Sequence, residues 1–281
     1  MQIRKSTTAM RGGWEESKRG TQMKILEWNV NCKIGYGRKK LMPLIEHLKL
    51  GEHPEYDILI LTEFYRLSDF DEFKKTIEAS GYETSITNER KGYNDVFIAV
   101  LKKYCIEESN IQNDNLDKQI GEGLPDFLSV PIQVENFKLT VIGVRFRGGC
   151  SDMKEQFIRF LPLINKYENI IIGGDFNNAK IYGDENTVYS ERQTDSVYSY
   201  WDNDKISKYA HFEYNYHRIK YWFALNKFSL ITSSEKCSFP RYRTKIDHFA
   251  VKGIRIENVE YLETKASDHN QLVGEVFMAD F

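Results

Sequence analysis

Short apolar runs alternate with helical patterns along the chain after Met23. Eight segments are short, rich in Ile, Val, Leu and aromatic residues and bounded by turn residues, a pattern typical of β-strands. These predicted strands are residues 24–30, 56–64, 96–103, 127–135, 137–146, 169–176, 245–252 and 271–277. Three segments carry apolar residues at helical spacing, which predicts helices. The predicted helices are residues 41–50, 68–81 and 151–167.

The order of these elements predicts packed sheets flanked by helices. Ser68 and Ser151 stand where helices should begin, and Gly81 stands where one should end. No change of composition marks a linker, so we expect a single domain over residues 23–281. Residues 179–218 are rich in Tyr, Asp, Asn and Ser and have little periodicity. We interpret them as an insertion of the kind that is usually functional or mobile.

The first 22 residues differ from the rest of the chain. They are polar, basic and without periodicity. We expect a disordered tail or a non-native leader, with Met23 as the natural start and no catalytic role for this segment. It lacks the apolar core of a signal peptide, and no apolar run of the chain is long enough to span a bilayer.

Composition changes this picture only in part. A chain of 281 residues with 41% hydrophobic residues can bury a full core without disulfides. The four cysteines have neither CxxC nor zinc-ligand spacing, so we expect reduced thiols and a cytoplasmic protein. The formal net charge is −2, whereas proteins held to nucleic acid by overall charge are basic. A nuclease with this composition would need a local basic patch.

Polar residues stand at the ends of several predicted strands. A buried apolar run leads into Gly173 and Gly174 and then into Asp175 and Asn177. Residues i and i+2 of a strand point to the same side, so both side chains can converge on one ligand. The glycines would let a backbone or a phosphate come close. Taken alone, this motif is also compatible with a strand that ends in a turn.

Four further motifs have the same character. Asp268 and His269 are adjacent, and a carboxylate can fix the tautomer of an imidazole and support its charge. Glu63 is an acid at the end of an apolar strand, where a divalent cation is a natural partner. The other two motifs are Asn29 with Asn31 after the first strand and Asp247 within a later one. Each motif alone also fits a surface turn, a loop start or a solvated strand end.

Taken in order, WNVN, LTEF, GGDFN, KIDHF and SDH resemble the endonuclease/exonuclease/phosphatase superfamily, over almost the whole chain after Met23. This family includes deoxyribonucleases, apurinic/apyrimidinic endonucleases and inositol polyphosphate 5-phosphatases. The resemblance implies an α/β fold: a four-layer α/β sandwich, with two mostly antiparallel β-sheets packed face to face and helices outside. It also implies hydrolysis of phosphoric esters with Mg²⁺ or Mn²⁺ as cofactor.

The resemblance also implies roles for individual residues. Glu63 resembles the main metal ligand, with Asn31 beside it where many relatives have Asp. Asn29 matches the family's Asn at the edge of the metal and the phosphate. Asp175 is similar to the residue that orients or deprotonates the attacking water, and Asn177 to a contact of the phosphate.

The carboxyl-terminal motifs complete this set. Asp247 is similar to the acid that completes a second metal or water position. His269 resembles the phosphate-stabilising histidine, and Asp268 resembles its orienting partner. The predicted metal ligands are therefore Glu63, Asn31, Asp247 and Asp268.

One strand departs from the family pattern. The family usually has His or Tyr on the strand before the GDFN strand, and this chain has Arg145 and Arg147 there. An arginine can bind phosphate in a fork but cannot donate a proton at neutral pH. A structural ion pair is the alternative for Arg145. Arg147 and Arg243 are predicted to bind substrate.

Three functions follow from these observations. The first is a nuclease acting on DNA or RNA, as a monomer that needs no membrane and no obligate protein partner. The second is a phosphomonoesterase or small-molecule phosphodiesterase, which the near-neutral charge fits better. The third is a catalytically inactive binding protein, but a dead relative usually loses at least one motif residue. The residues that argue against this are all present here: Glu63, Asp175, Asn177, Asp247, Asp268 and His269.

Overall fold

A computed structural model describes most of the chain. The described residues are 22–31, 40–87, 94–106, 124–147, 152–177, 208–233, 236–242 and 244–278. Residues 1–21 and 178–207 therefore lie outside it, as do Ser151 and Arg243, so the predictions made for them stay predictions. None of the helices in the described ranges is long and apolar enough to cross a membrane.

Two six-stranded sheets form the centre of the described structure. The first sheet contains the strands β1 (Gln22–Asn29), β2 (Ile58–Phe64), β3 (Tyr82–Ile86), β4 (Asp95–Leu101), β11 (Arg255–Leu262) and β12 (Gln271–Phe277). Across this sheet they follow the order β11-β12-β1-β2-β4-β3.

The second sheet contains the strands β5 (Cys105–Ile106), β6 (Asp126–Val134), β7 (Phe137–Arg145), β8 (Ile170–Asp175), β9 (Ser229–Ile231) and β10 (Asp247–Lys252). Across this sheet they follow the order β5-β6-β7-β8-β10-β9.

Strand direction brings the ends of several strands to one edge. In the first sheet β1 runs parallel to β2, and in the second sheet β7 runs parallel to β8. The other pairings between the described strands are antiparallel, including β12 with β1 and β10 with β8. The carboxyl ends of β1, β2, β7 and β8 therefore lie beside the amino ends of β12 and β10. The two sheets also contact each other through β1 and β8.

Three hydrophobic clusters separate four layers. Alternation along β1 shows why: Ile25 packs into the cluster between the two sheets, whereas Leu26 and Trp28 face the outer side. The cluster on that outer side also holds Phe73 and Ile77 of helix α1 (Phe70–Ala79). On the far side of the second sheet, a third cluster contains residues of helices α2 (Asp152–Asn165) and α3 (Lys208–Leu225). The predicted four-layer sandwich is confirmed.

Some predicted elements needed correction. The helix predicted over residues 41–50 is a 3₁₀ helix, Met42–His47. Helix α1 is preceded by Asp69 rather than Ser68 at its N-cap, and Gly81, with a φ of 91°, follows its end as predicted. Residues 208–218, assigned to the insertion, form part of α3. Strands β3, β5, β9 and β11 were not predicted.

Candidate active site

The predicted site residues lie at one edge of the paired sheets. Asn29 is the last residue of β1, and Arg145 and Asp175 are the last residues of β7 and β8. Asp247 begins β10 and is in register with Asp175. His269 lies just before β12, the antiparallel neighbour of β1. Residues far apart in sequence are therefore gathered because their strands end at the same edge.

Asp175 is buried and held by donors from both sheets. The Asn29 side chain donates from Nδ2 to Oδ2 of Asp175 over 3.1 Å. Asn177 donates from its backbone N to Oδ1 over 2.8 Å and from its side chain Nδ2 to Oδ2 over 3.1 Å. These three bonds fix the orientation of the Asp175 carboxylate. Asn177 also donates to the carbonyl of Phe146, which ties it to the end of β7.

The environment of Asp175 favours its protonated form. Burial raises the pKa of Asp175, and repulsion from the carboxylate of Asp247 raises it further, while the charge of His269 lowers it. The resulting pKa is about 7. A base with a pKa near the working pH is effective in general acid–base catalysis. Asp175 therefore has the position and basicity to accept a proton from a water molecule.

His269 forms a buried pair with Asp247. Its Nδ1 lies 2.9 Å from Oδ2 of Asp247, and the ring of Phe239 stacks on the imidazole at 4.7 Å. Burial disfavours the charged ring, but the carboxylate of Asp247 outweighs this and raises the pKa of His269 to about 9. The imidazolium is therefore the main form at neutral pH. Bonding through Nδ1 leaves Nε2 as the ring nitrogen that can face a substrate.

The prediction that Asp268 orients His269 is wrong. Asp268 accepts a hydrogen bond from Nδ2 of Asn31 over 2.7 Å. The two residues are adjacent in a loop, so their side chains point to different neighbours. Asp247 takes the position beside the imidazole because β10 runs antiparallel to β8 and begins at the site. Asp268 instead links the loop after β11 to the end of β1.

Glu63 is directed by an irregularity in β2. The pairing of β2 with β4 shifts register between Leu61 and Phe64, and Glu63 has a φ of 49°. Such bulges re-aim a side chain near the end of a strand. Positive φ is uncommon outside glycine and costs free energy for a residue such as Glu. Asn31 and Asn177 also have positive φ, 41° and 47°, so local strain coincides with the site.

Arg145 forms an ion pair in this structure. Its Nε donates to Oε1 of Glu63 over 2.6 Å, and its Nη1 lies 3.3 Å from Oδ2 of Asp126. Oδ1 of Asp126 accepts a hydrogen bond from Nη2 of Arg147 over 3.2 Å. The structural ion pair considered as the alternative for Arg145 is therefore present. These contacts hold the guanidinium of Arg145 beside the predicted metal ligand Glu63, and Asp126 joins it to Arg147.

Several residues of the site were not identified in the sequence. Asp126 bridges the two arginines, and Ser238 accepts hydrogen bonds from the backbone N of Asp247 and of Ile246. Glu27 is fully buried, and one of its oxygens accepts a bond from Thr62. Burial and repulsion from the site carboxylates raise the pKa of Glu27 well above its usual value. A charged residue inside the apolar run KILEW was the available signal for Glu27.

The donor atoms of this site suit a hard divalent cation. Ligand atoms of Asp175, Asp247 and His269 lie within 4.8 Å of one another. Oδ1 of Asp247 is buried and has no hydrogen-bond partner among the described residues. Mg²⁺ and Mn²⁺ prefer carboxylate and amide oxygens. The residues present therefore fit the predicted cofactor.

Gly174 is required by a close backbone approach. A Cβ atom at this position would overlap the carbonyl oxygen of Val144 in the neighbouring strand β7. The close approach expected from the two glycines is therefore found here, and the group that approaches is a backbone. It keeps β7 and β8 in register up to Arg145 and Asp175, which are paired.

Comparisons with known proteins bear on the fold. No protein-family model and no curated protein matches the sequence. An endonuclease/exonuclease/phosphatase from Beutenbergia cavernae DSM 12333 matches with a TM-score of 0.58 at 14% identity, covering 93% of this chain and 72% of the other. TDP2 from D. rerio, complexed with a single strand DNA product, matches at 0.55 and 11%, covering 91% and 99%. ANGEL2, a 2',3'-cyclic phosphatase, matches at 0.58 and 11%, covering 95% and 99%.

These similarities extend over nearly the whole chain. Because the sequence identities are 11 to 14%, these matches show similarity of fold alone. They agree with the order of the five motifs in the sequence and with the two face-to-face sheets. The resemblance drawn from the motifs is confirmed, and the chain has the fold of the endonuclease/exonuclease/phosphatase superfamily.

Proposed function

We propose that this protein is a divalent-metal-dependent phosphodiesterase, a nuclease that acts on DNA or RNA. One observation carries the proposal: a buried carboxyl group, Asp175, whose pKa is about 7, lies beside the charged pair of His269 and Asp247. Water attack on a phosphodiester needs a base for the water and positive charge for the phosphate. The site provides both within one cluster of side chains.

The metal would be held by the oxygen donors at the strand ends. We keep Glu63, Asn31, Asp247 and Asp268 as proposed ligands, and we keep Asp175, whose oxygens lie close to those of Asp247, as the base rather than a ligand. When bound, Mg²⁺ or Mn²⁺ would neutralise charge on the phosphate and on the leaving oxygen. Because Arg145 binds Oε1 of Glu63, this arginine also limits how the Glu63 carboxylate can turn.

The protein's own residues have distinct parts in the proposed reaction. A water oxygen attacks phosphorus while its proton passes to the carboxylate of Asp175, which Asn29 and Asn177 hold in place. The bond from phosphorus to the leaving oxygen breaks as the new bond forms. The imidazolium of His269 stabilises negative charge on the phosphate and can give the leaving oxygen its proton. Asp247 holds that ring through Nδ1.

A nucleic-acid substrate is supported by two further points. Arg145 places a guanidinium group next to Glu63, and Arg147 binds Asp126, which also binds Arg145; arginine binds phosphate in a fork. Among the matching structures, TDP2 is complexed with a single strand DNA product. The net charge of −2 and the match to ANGEL2, a 2',3'-cyclic phosphatase, favour the second candidate, a small-molecule phosphoesterase.

A substrate panel tests the proposal. Plasmid DNA, single-stranded DNA, RNA and soluble phosphomonoesters would each be incubated with the protein and Mg²⁺, Mn²⁺ or EDTA. We expect cleavage of at least one polynucleotide with metal and none with EDTA. Hydrolysis of the phosphomonoesters alone would favour the second candidate, and no hydrolysis of any substrate would overturn the proposal.

A further inference from the structure

A pocket of about 850 Å³ lies beside the loop that carries His269. One wall comes from the segment before β10 and the other from the loop between β11 and β12. The lining residues are Lys236, Cys237, Pro240, Lys245, Glu263, Thr264, Lys265 and Asn270. None of these residues belongs to the proposed catalytic machinery.

Hydrogen bonds connect this pocket to the site. Asn270 donates from its backbone N to the carbonyl of Ser238 over 2.7 Å and from Nδ2 to the carbonyl of Cys237 over 2.9 Å. Ser238 in turn accepts from the backbone N of Asp247, and Phe239 stacks on His269. The pocket wall and the catalytic pair are therefore parts of one bonded unit. Asn270, which lines the pocket, follows His269 directly in the chain.

The charge of the pocket is unusual for this protein. Three lysines and one glutamate line it, in a chain whose net charge is −2. A second large pocket, beside α1, has four acidic residues and two lysines, and no proposed site residue lines it. Within the basic pocket, Lys236 and Glu263 are 3.8 Å apart with exposed side chains. An exposed pair of this kind holds its partners weakly, so Lys236 can exchange Glu263 for a stronger anion.

We propose that this pocket binds a phosphate of the substrate strand next to the one that is hydrolysed. The inference rests on the proposed function and narrows its substrate class to a polynucleotide with at least two phosphates. A phosphate group is the ligand that three lysine side chains around an open pocket would recognise. A single phosphomonoester or diester at the catalytic site would not reach it.

Binding and turnover test the proposal separately. The triple variant Lys236→Gln, Lys245→Gln and Lys265→Gln removes the charges. The control variant Lys40→Gln, Lys75→Gln and Lys102→Gln removes three exposed charges elsewhere, two of them from the acidic pocket. Binding of a fluorescent single-stranded oligonucleotide would be followed by anisotropy in EDTA, which avoids turnover. Turnover would be measured with the oligonucleotide and with bis(p-nitrophenyl) phosphate, which has one phosphate.

We expect the pocket variant to bind the oligonucleotide about tenfold more weakly than the control variant. Its plot of log affinity against log salt should be flatter by about 0.7 for each lost contact, or about 2 in total. Hydrolysis of bis(p-nitrophenyl) phosphate should be unchanged. Equal oligonucleotide binding by both variants would overturn the inference, and so would an equal loss on both substrates.

Failure of the proposed function would give a different result. In that case the wild-type protein would hydrolyse neither substrate with Mg²⁺ or Mn²⁺, whatever the binding data. The anisotropy comparison in EDTA would still decide whether the pocket binds phosphate of a strand. Equal melting temperatures of the wild type and both variants would exclude a fold defect as the cause.

Discussion

Replacing Asp247 with Asn removes the charge that supports the imidazolium of His269. The pKa of His269 is about 9, compared with an ordinary value of 6.5, and the difference corresponds to about 3 kcal/mol of preference for the charged ring. Without the carboxylate, burial would act in the opposite direction. We therefore expect the pKa of His269 to fall in Asp247→Asn, although the carboxylates of Asp175 and Asp268 would still raise it.

The same substitution acts on Asp175. Repulsion from Asp247 is one cause of the raised pKa of Asp175, so that pKa should fall below about 7. At neutral pH the variant would therefore have a smaller fraction of charged imidazole and a weaker base. Losing electrostatic stabilisation of a transition state typically costs about 10²–10³ in rate. We expect kcat to fall by at least that factor.

NMR titration of the histidine rings measures the first effect directly. The resonance of His269 would be assigned by its absence in His269→Gln, and its pKa would be read in EDTA. Asp268→Asn is the matched control, because Asp268 is next to His269 in sequence but bonds to Asn31. We expect a small change in this control. A fall in Asp268→Asn as large as that in Asp247→Asn would refute the assignment of Asp247 as the partner. Urea denaturation of both variants would verify that each is folded.

Three more predictions follow from the site. Glu63→Gln should lower kcat/KM by about 100-fold or more and raise the Mg²⁺ concentration needed for half-maximal rate, because a ligand charge is lost. A Mg²⁺ dependence of the rate in this variant equal to that of the wild type would contradict this. His269→Ala should lower kcat more than Arg145→Ala, because Arg145 also serves an ion pair with Glu63, and steady-state kinetics would show the reverse order if the assignment is wrong. In EDTA, the free energy of unfolding should fall by about 3 kcal/mol as the pH rises from 6.5 through 9. The reason is that the charged ring of His269 stabilises the folded protein fully below pH 6.5, its ordinary pKa, and that this stabilisation is lost once the pH exceeds its raised pKa of about 9. Denaturant titrations should show that this fall is missing in His269→Gln.

The sequence predicted the strand-end residues because the signals were local. Apolar runs ending in Asp, Asn or Glu gave β1, β2 and β8, an apolar run that follows Asp247 gave β10, and the order of the motifs gave the family fold. Strand β11 was missed because its burial alternates imperfectly, with Glu257 and Asn258 both exposed around an irregularity in its pairing with β12. Helix α3 was missed because its buried residues include His217 and Lys220, which hide the apolar stripe.

The pairing of side chains could not be predicted in the same way. The partner of His269 depends on where β10 begins relative to the loop before β12, and neighbouring Asp268 was the wrong choice. The direction of Glu63 depends on a bulge and a positive φ that no local pattern of LILTEF reveals. Asp126 binds both arginines because β6 pairs with β7, so its role appears only with the register of that pairing.

The central claim is that Asp175 serves as the base in metal-dependent hydrolysis of a phosphodiester. Asp175→Asn tests it most directly, because Asn has nearly the same shape, cannot accept the proton, and has a side-chain oxygen that can still accept from the backbone N of Asn177. Cleavage of a polynucleotide by this variant would be measured beside the wild type, with Mg²⁺ and with EDTA, on samples of equal melting temperature. We predict cleavage by the wild type with Mg²⁺, none with EDTA, and a loss of about 10²–10⁴ in rate for Asp175→Asn. Wild-type turnover by Asp175→Asn, or undiminished cleavage by the wild type in EDTA, would contradict the account.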